Sequence, residues 1–218
     1  MKLPVTLHRP RLGPAEFNVI RPARTPDRAL LLDADRYLNA YFDQEAAQLT
    51  AGLWALAASS PRSLIHLPMR VNGAAGAPGP RQRPLDLVLL HHSLQFAPSR
   101  WKELRARLGA GRAHTVDLPG PDPDAEIDGT ALHHRENRDV FRQHVHSETL
   151  FMTGSARTFR NGAALFADLA RHGPHQLLAH PGTHYCRRLF SDIGREVHIE
   201  YAAPSAQTWH QARTQAGT

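Results

Sequence analysis

The chain has 218 residues, 41% hydrophobic and 21% charged, which suits one α/β domain with a real core and excludes intrinsic disorder. The lone Cys186 excludes an internal disulfide framework and any multi-cysteine zinc site, and fits a reducing compartment. The formal net charge is +6, but only two of the 26 basic residues are lysine (Lys2 and Lys102), so GC-rich coding accounts for much of the basic balance.

In chain order, Phe17 to Ile20 is a short strand candidate between prolines, and Ala29 to Leu32 is an apolar run that is either a strand or the approach to a helix. The spacing of Leu38, Phe42, Ala46, Leu49, Leu53, Trp54 and Leu56 predicts a helix over Ala34 to Ser59, with Asp33 or Asp35 as its cap and Pro61 as its stop. Leu64 to Met69 reads as a strand. The segment 72–84, rich in Gly, Ala and Pro, reads as a mobile loop. Leu85 to Leu90 (LDLVLL) is a continuous apolar strand of the kind buried on both faces. Pro98 to Leu108 predicts a helix with Gly109 as its stop, and His114 to Leu118 a strand.

Thr130 to Val145 reads as a helix with Leu132, Val140 and Phe141 inward. Thr149 to Met152 is an apolar strand, followed by a helix from Gly162 to His172 that ends at Gly173-Pro174. Gln176 to Ala179 and Glu196 to Tyr201 complete the strands. Strands alternating with helices predict a single doubly wound α/β domain over 1–202, a mainly parallel sheet with helices on both faces, and a polar tail over 203–218. No apolar run reaches the roughly 18 residues of a membrane span and the start lacks a signal-peptide core, so a cytoplasmic protein is expected.

In a doubly wound sheet, ligands bind beyond the carboxyl ends of the strands. The residues expected there are His91 and His92 after Leu90, Asp117 after Val116, Thr153 to Arg157 after Met152, and His180 to His184 after Ala179. Thr153, Gly154, Ser155 and Arg157, with Arg160 beyond, have the composition of a phosphate or carboxylate cradle. Glycine admits the anion to backbone N–H groups, the helix start adds partial positive charge, and hydroxyls and guanidinium clamp oxygens. The segment is neither a P-loop nor GxGxxG. Ser155 as an acyl-transfer nucleophile would need GxSxG, where this chain has Thr153 and Arg157 at the glycine positions.

Eight of the 15 histidines lie between His133 and His184. His91, His92, His180 and His184 are candidates for proton transfer, with Asp117 as an orienting carboxylate. His144, His146 and Glu148 have the local composition of a divalent-metal site, but share a side only if His144-Val145-His146 is a strand. His172 is expected as a surface residue favoured by the helix dipole. Asp122, Asp124, Glu126 and Asp128 alternate without the Gly and Glu an EF-hand loop requires, and Cys186 is expected as a small buried hydrophobe.

A strand running into His180-Pro181, with Leu87 to Leu90 as an earlier apolar strand, resembles short segments of the uracil-DNA glycosylases, whose last strand leads to a His-Pro-Ser-Pro loop. Their Gly-Gln-Asp-Pro motif has no counterpart here, and His91 stands where they carry Asn. The resemblance keeps base or nucleotide substrates in view. The expectation is an enzyme, a transferase or hydrolase, acting on a small anionic substrate through histidine acid/base chemistry. Two alternatives stand beside it: a histidine-ligated metal enzyme, and a non-enzymatic nucleic-acid or partner-binding protein whose scattered arginines and 7% aromatics fit it less well.

Overall fold

The start of the chain shows the local rule that builds its sheets. In β1 (Lys2–His8) Leu3 and Val5 are buried while Lys2 and Pro4 are exposed, the alternation of a strand covered on one face. A computed structural model describes residues 1–34, 36–73, 82–118, 139–191 and 194–202. After β1 come β2 (Arg11–Leu12) and β3 (Ala15–Glu16), a small ribbon, then β4 (Asn18–Pro22), β5 (Ala29–Asp33) and β6 (Leu38–Phe42). Helix α1 (Gln44–Ser59) leads to β7 (Ser63–Leu67), the short α2 (Arg70–Gly73), β8 (Arg83–Pro84) and β9 (Asp86–His91). Two single turns precede α3 (Trp101–Ala106) and β10 (Arg112–Asp117). The rest is β11 (Phe141–His146), β12 (Thr149–Gly154), α4 (Ala156–Ala179), β13 (Cys186–Leu189) and β14 (Val197–Tyr201).

The expected single doubly wound, mainly parallel sheet is not what forms. Seven strands make a mixed sheet in the order β10–β1–β4–β7–β9–β12–β11, and five make a second in the order β13–β14–β6–β5–β8. Among the described residues, β4/β7 and β9/β12 are parallel in the first sheet and β14/β6 in the second; the other pairs are antiparallel. A continuous apolar strand signals burial on both faces, and packing between layers supplies that without parallel neighbours. On β9, Leu87 and Leu89 face the main core with α1 and α4, while Val88 and Leu90 face Trp101 and Leu104 of α3. β11 and β12 join through a two-residue turn, Ser147 (φ 47) and Glu148 (φ 58), whose left-handed pair suits the twist of an antiparallel hairpin.

Several element boundaries move for identifiable reasons. Leu38 and Phe42, spaced i and i+4, mimic a helical stripe but belong to β6, all five of whose residues are buried. The helix proper starts at Gln44, where Asp43 Oδ1 accepts the Ala46 N–H at 2.9 Å. Residues 141–145 of the expected helix 130–145 lie in strand β11 instead. Gly173-Pro174 does not end α4, which continues to Ala179 and absorbs the strand expected at 176–179. A Cβ at Gly173 would strike the Tyr201 ring, so this glycine serves close packing against β14.

Asn72 anchors one end of the expected loop through its side-chain amide, which donates to Pro26 O at 2.8 Å and Ala29 O at 2.7 Å; Arg83–Pro84 pairs with β5 at the other. Positions 74–81, Asp35, the acidic alternation 122–128, His133, His134, residues 130–138 and the tail 203–218 lie outside the described residues.

Candidate functional site

The carboxyl ends of β9 and β12 lie side by side, with His91 opposite Gly154 in the parallel register. His91 closes β9 and caps the following turn. Its Nδ1 accepts the Ser93 N–H at 3.3 Å and lies 2.8 Å from Ser93 Oγ. An accepting Nδ1 leaves the ring proton on Nε2. The His92 ring stands 4.4 Å from that of His91, centroid to centroid. Burial, then the neighbouring His92, holds the His91 imidazole below its ordinary pKa. The turn exits through Gln95 at φ 50, a left-handed conformation uncommon for a residue other than glycine.

Across from it, Gly154 ends β12 and Ser155 caps α4. Ser155 Oγ accepts the Arg157 N–H at 3.1 Å and the Thr158 N–H at 3.2 Å, and the Ser155 N–H donates to Val140 O at 3.2 Å. The serine oxygen thus takes two of the helix-start donors that an anion would use. Thr153 is half-buried on β12, and Arg157 and Arg160 are exposed on the first turns of α4. Of the expected site residues, His91 and Gly154 are thus cross-strand neighbours, with His92 next in the chain to the one and Thr153, Ser155, Arg157 and Arg160 close in the chain to the other.

The other candidates lie elsewhere. His180 caps the far end of α4, whose 24 residues span about 36 Å, and His184 follows it. Neither shares a small-ligand site with Ser155, and His180 follows a helix, not the strand on which the glycosylase resemblance depended. Asp117 ends β10, which runs antiparallel to β9 and lies four strand spacings away, about 19 Å, with Asp117 at the opposite end of the sheet.

His144 and His146 share a side of β11, their rings near-parallel at 6.1 Å. Glu148, however, pairs with Arg70. Among the described residues no three His, Cys, Asp or Glu side chains are grouped to hold a metal ion. His172 is not merely a dipole-stabilised surface group. Its Nδ1 lies 3.0 Å from Asp168, which also accepts the Tyr185 hydroxyl at 2.9 Å and pairs with Arg187 at 2.7 Å. Burial and the Asp168 charge push the Tyr185 pKa up to about 12.

One buried polar group escapes the sequence pattern. His66 on β7 and Asp86 on β9 are 2% and 3% exposed, on the sheet face covered by α3. Asp86 accepts the Arg70 N–H at 3.0 Å and a bond from Arg105 at 3.3 Å. The Trp101 ring stands edge-on to His66 at 4.9 Å, and its Nε1 donates to Thr149 Oγ1 at 3.1 Å. The only sequence signal was a single histidine in SLIHL and a single aspartate in LDLVLL.

Many of the arginines are spent within the fold: Arg83 and Arg195 on Asp33, Arg105 on Asp86, Arg187 on Asp168, Arg188 on Glu196 and Arg107 on Glu103. No helix of the described residues is long and apolar enough to cross a membrane. Comparison with protein-family models, curated proteins and solved structures finds no match to this chain.

Proposed function

We propose that the paired ends of β9 and β12 are the active site of a hydrolase or transferase acting on a small substrate that carries a phosphate or carboxylate. The observation that carries this reading is the placement of His91: opposite Gly154 at the start of α4, with its unprotonated Nδ1 2.8 Å from Ser93 Oγ. That separation is the one a base and its nucleophile require. A His91 held neutral by burial and by His92 is a base at neutral pH. The left-handed Gln95 beside it is the kind of backbone strain that gathers at functional turns.

In this mechanism Ser93 Oγ attacks the carbonyl or phosphoryl centre while its proton passes to His91 Nδ1. The bond to the leaving group breaks, and the leaving oxygen takes that proton. Water, deprotonated by His91, then attacks the acyl or phosphoryl centre; its bond to Ser93 Oγ breaks, and Oγ takes the proton back from His91. Arg157, Arg160 and the positive end of α4 hold the anionic oxygens, and His92 keeps His91 uncharged before attack.

The test is hydrolysis of p-nitrophenyl phosphate and p-nitrophenyl acetate by wild type, His91→Ala and Ser93→Ala. The reading expects each variant to lose about 100-fold or more, the usual size of a general-base contribution. It also expects inorganic phosphate to shift the His91 ring signals in an NMR titration, and less so in Arg157→Ala. Turnover retained by both variants, or His91 signals indifferent to phosphate and to acetate alike, overturns it.

A further inference from the structure

A concave site lies far along the chain from His91. A cleft of about 470 Å³, within the size range of small-ligand pockets, opens between the start of β1, the link 23–28 joining β4 to β5, and the first turns of α1. Leu3, Pro4, Pro26 and Leu49 give it apolar walls. Its charges fall into two groups. Arg24 is paired with Asp27 at 2.9 Å, and Arg28 lies 4.0 Å from Asp43, which also caps α1. Lys2, Glu45 and Gln48 line the same cleft and have no side-chain partner among the described residues.

We propose that this cleft binds a small zwitterion with an apolar side chain, an apolar α-amino acid or a dipeptide built from one. The Met1 ammonium, which also belongs to the cleft, donates to Leu118 O at 2.6 Å; with it and the internal pairs set aside, what remains is the Lys2 ammonium, the Glu45 carboxylate and the Gln48 amide beside an apolar wall. A plain anion entering the cleft would meet the Glu45, Asp27 and Asp43 carboxylates, and a plain cation would meet Lys2, Arg24 and Arg28. A zwitterion satisfies both uncommitted charges at once: its carboxylate faces Lys2, its ammonium faces Glu45, and its side chain packs on Leu49 and Pro26. Gln48, one turn beyond Glu45 on the same helix side, supplies donor and acceptor for a peptide group.

The experiment compares L-leucine and leucyl-leucine with N-acetyl-leucine, which lacks the ammonium, and leucinamide, which lacks the carboxylate. Binding is followed by calorimetry and by backbone amide shifts at Lys2, Glu45, Gln48 and Leu49. The proposal expects one or both zwitterions to bind about tenfold tighter than either blocked compound, the ratio set by one lost charge-assisted bond. Glu45→Gln should erase the preference over N-acetyl-leucine, and Lys2→Gln the preference over leucinamide, while His91→Ala leaves both intact. Equal binding of all four compounds, no shifts from any of them, or unchanged preferences in both cleft variants overturns it.

Discussion

His66 Nε2 lies 3.6 Å from the Asp86 carboxylate, close enough for charge attraction and too far for a hydrogen bond, and neither ring nitrogen of this buried imidazole has a hydrogen-bond partner. Three elements besides β7 face it: β9 brings Asp86, α3 brings Arg105 and Trp101, and β4 brings Arg21. Burial holds the His66 pKa below its ordinary value; Arg21 and Arg105 push the same way and Asp86 pulls against them. Burial likewise lowers the Arg21 pKa, against the attraction of Asp86.

That balance sets a pH dependence of stability. With a folded pKa below the unfolded one, the unfolded chain binds the His66 proton first as pH falls. Stability contributed by neutral His66 is therefore complete above about pH 6.5 and is lost progressively below it, until the folded pKa is reached. Phe at position 66 keeps the edge-on contact with Trp101 and removes both unpaired nitrogens. His66→Phe should be at least as stable as wild type at neutral pH and should lose less between pH 6.5 and pH 5. Urea unfolding midpoints of the two proteins across that range decide it; parallel curves would reject the assignment.

Asp86 adds to the loss at lower pH. Burial alone would raise its pKa, but His66 and the Arg70 N–H outweigh burial and lower it. Its stabilisation is thus present above the ordinary carboxylate range and is lost as pH falls through the lowered folded value. Asp86→Ala leaves Arg105, Arg21 and the Arg70 amide facing an uncompensated site beneath α3, a loss on the order of 3–5 kcal/mol as for other broken buried pairs. Denaturant unfolding at neutral pH measures it, and a loss under about 1 kcal/mol would show the knot to be hydrated rather than buried.

Ser155 separates capping from ligand binding at the proposed active site. Ser155→Ala removes the acceptor for the Arg157 and Thr158 N–H groups and should cost about 1 kcal/mol by thermal or urea unfolding. The same change frees those two donors. Affinity for inorganic phosphate at the α4 start should then hold or rise, whereas a serine that itself grips the anion would lose affinity on truncation.

How much of this could be read beforehand differs by element. β9, β12 and β14 were legible because continuous or alternating apolar runs of strand length mean burial whatever the neighbours do. Their direction was not, since Leu87 to Leu90 looks the same between layers of a mixed sheet as in a parallel one. β6 was hidden because Leu38 and Phe42 match the helical spacing that continues truly into α1. The strand-end rule puts His91 and Gly154 at the ends of strands, but that those two ends adjoin depends on β9 and β12 being parallel neighbours, which no residue pattern announces. Asp117 was placed wrongly by the same rule once β10 proved antiparallel, and His180 was lost when α4 ran through Pro174. His66 and Asp86 were illegible, because their meeting depends on the β7/β9 register and on α3 folding over both.

The packing of α1 on α4 gives a last prediction, one that turns on a residue the sequence offers only as a glycine within a helix. A Cβ at Gly162 would run into the Trp54 indole, which is buried and also meets Phe141, Phe159 and Phe166 edge-on or tilted at 5.6–6.0 Å. Gly162→Ala gains about 1 kcal/mol of helix propensity, while overpacking a core typically costs about 1–3 kcal/mol. The cost should win here, because Trp54 is wedged against three phenyl rings. The expected net loss is about 1 kcal/mol by urea unfolding. Trp54→Phe is destabilising alone, yet in combination with Gly162→Ala the second change should become neutral or favourable, since the smaller ring vacates the contact. A double-mutant cycle reads this as a coupling energy between the two sites; strict additivity would mean that α4 simply shifts away from α1 and that the glycine does not set their approach.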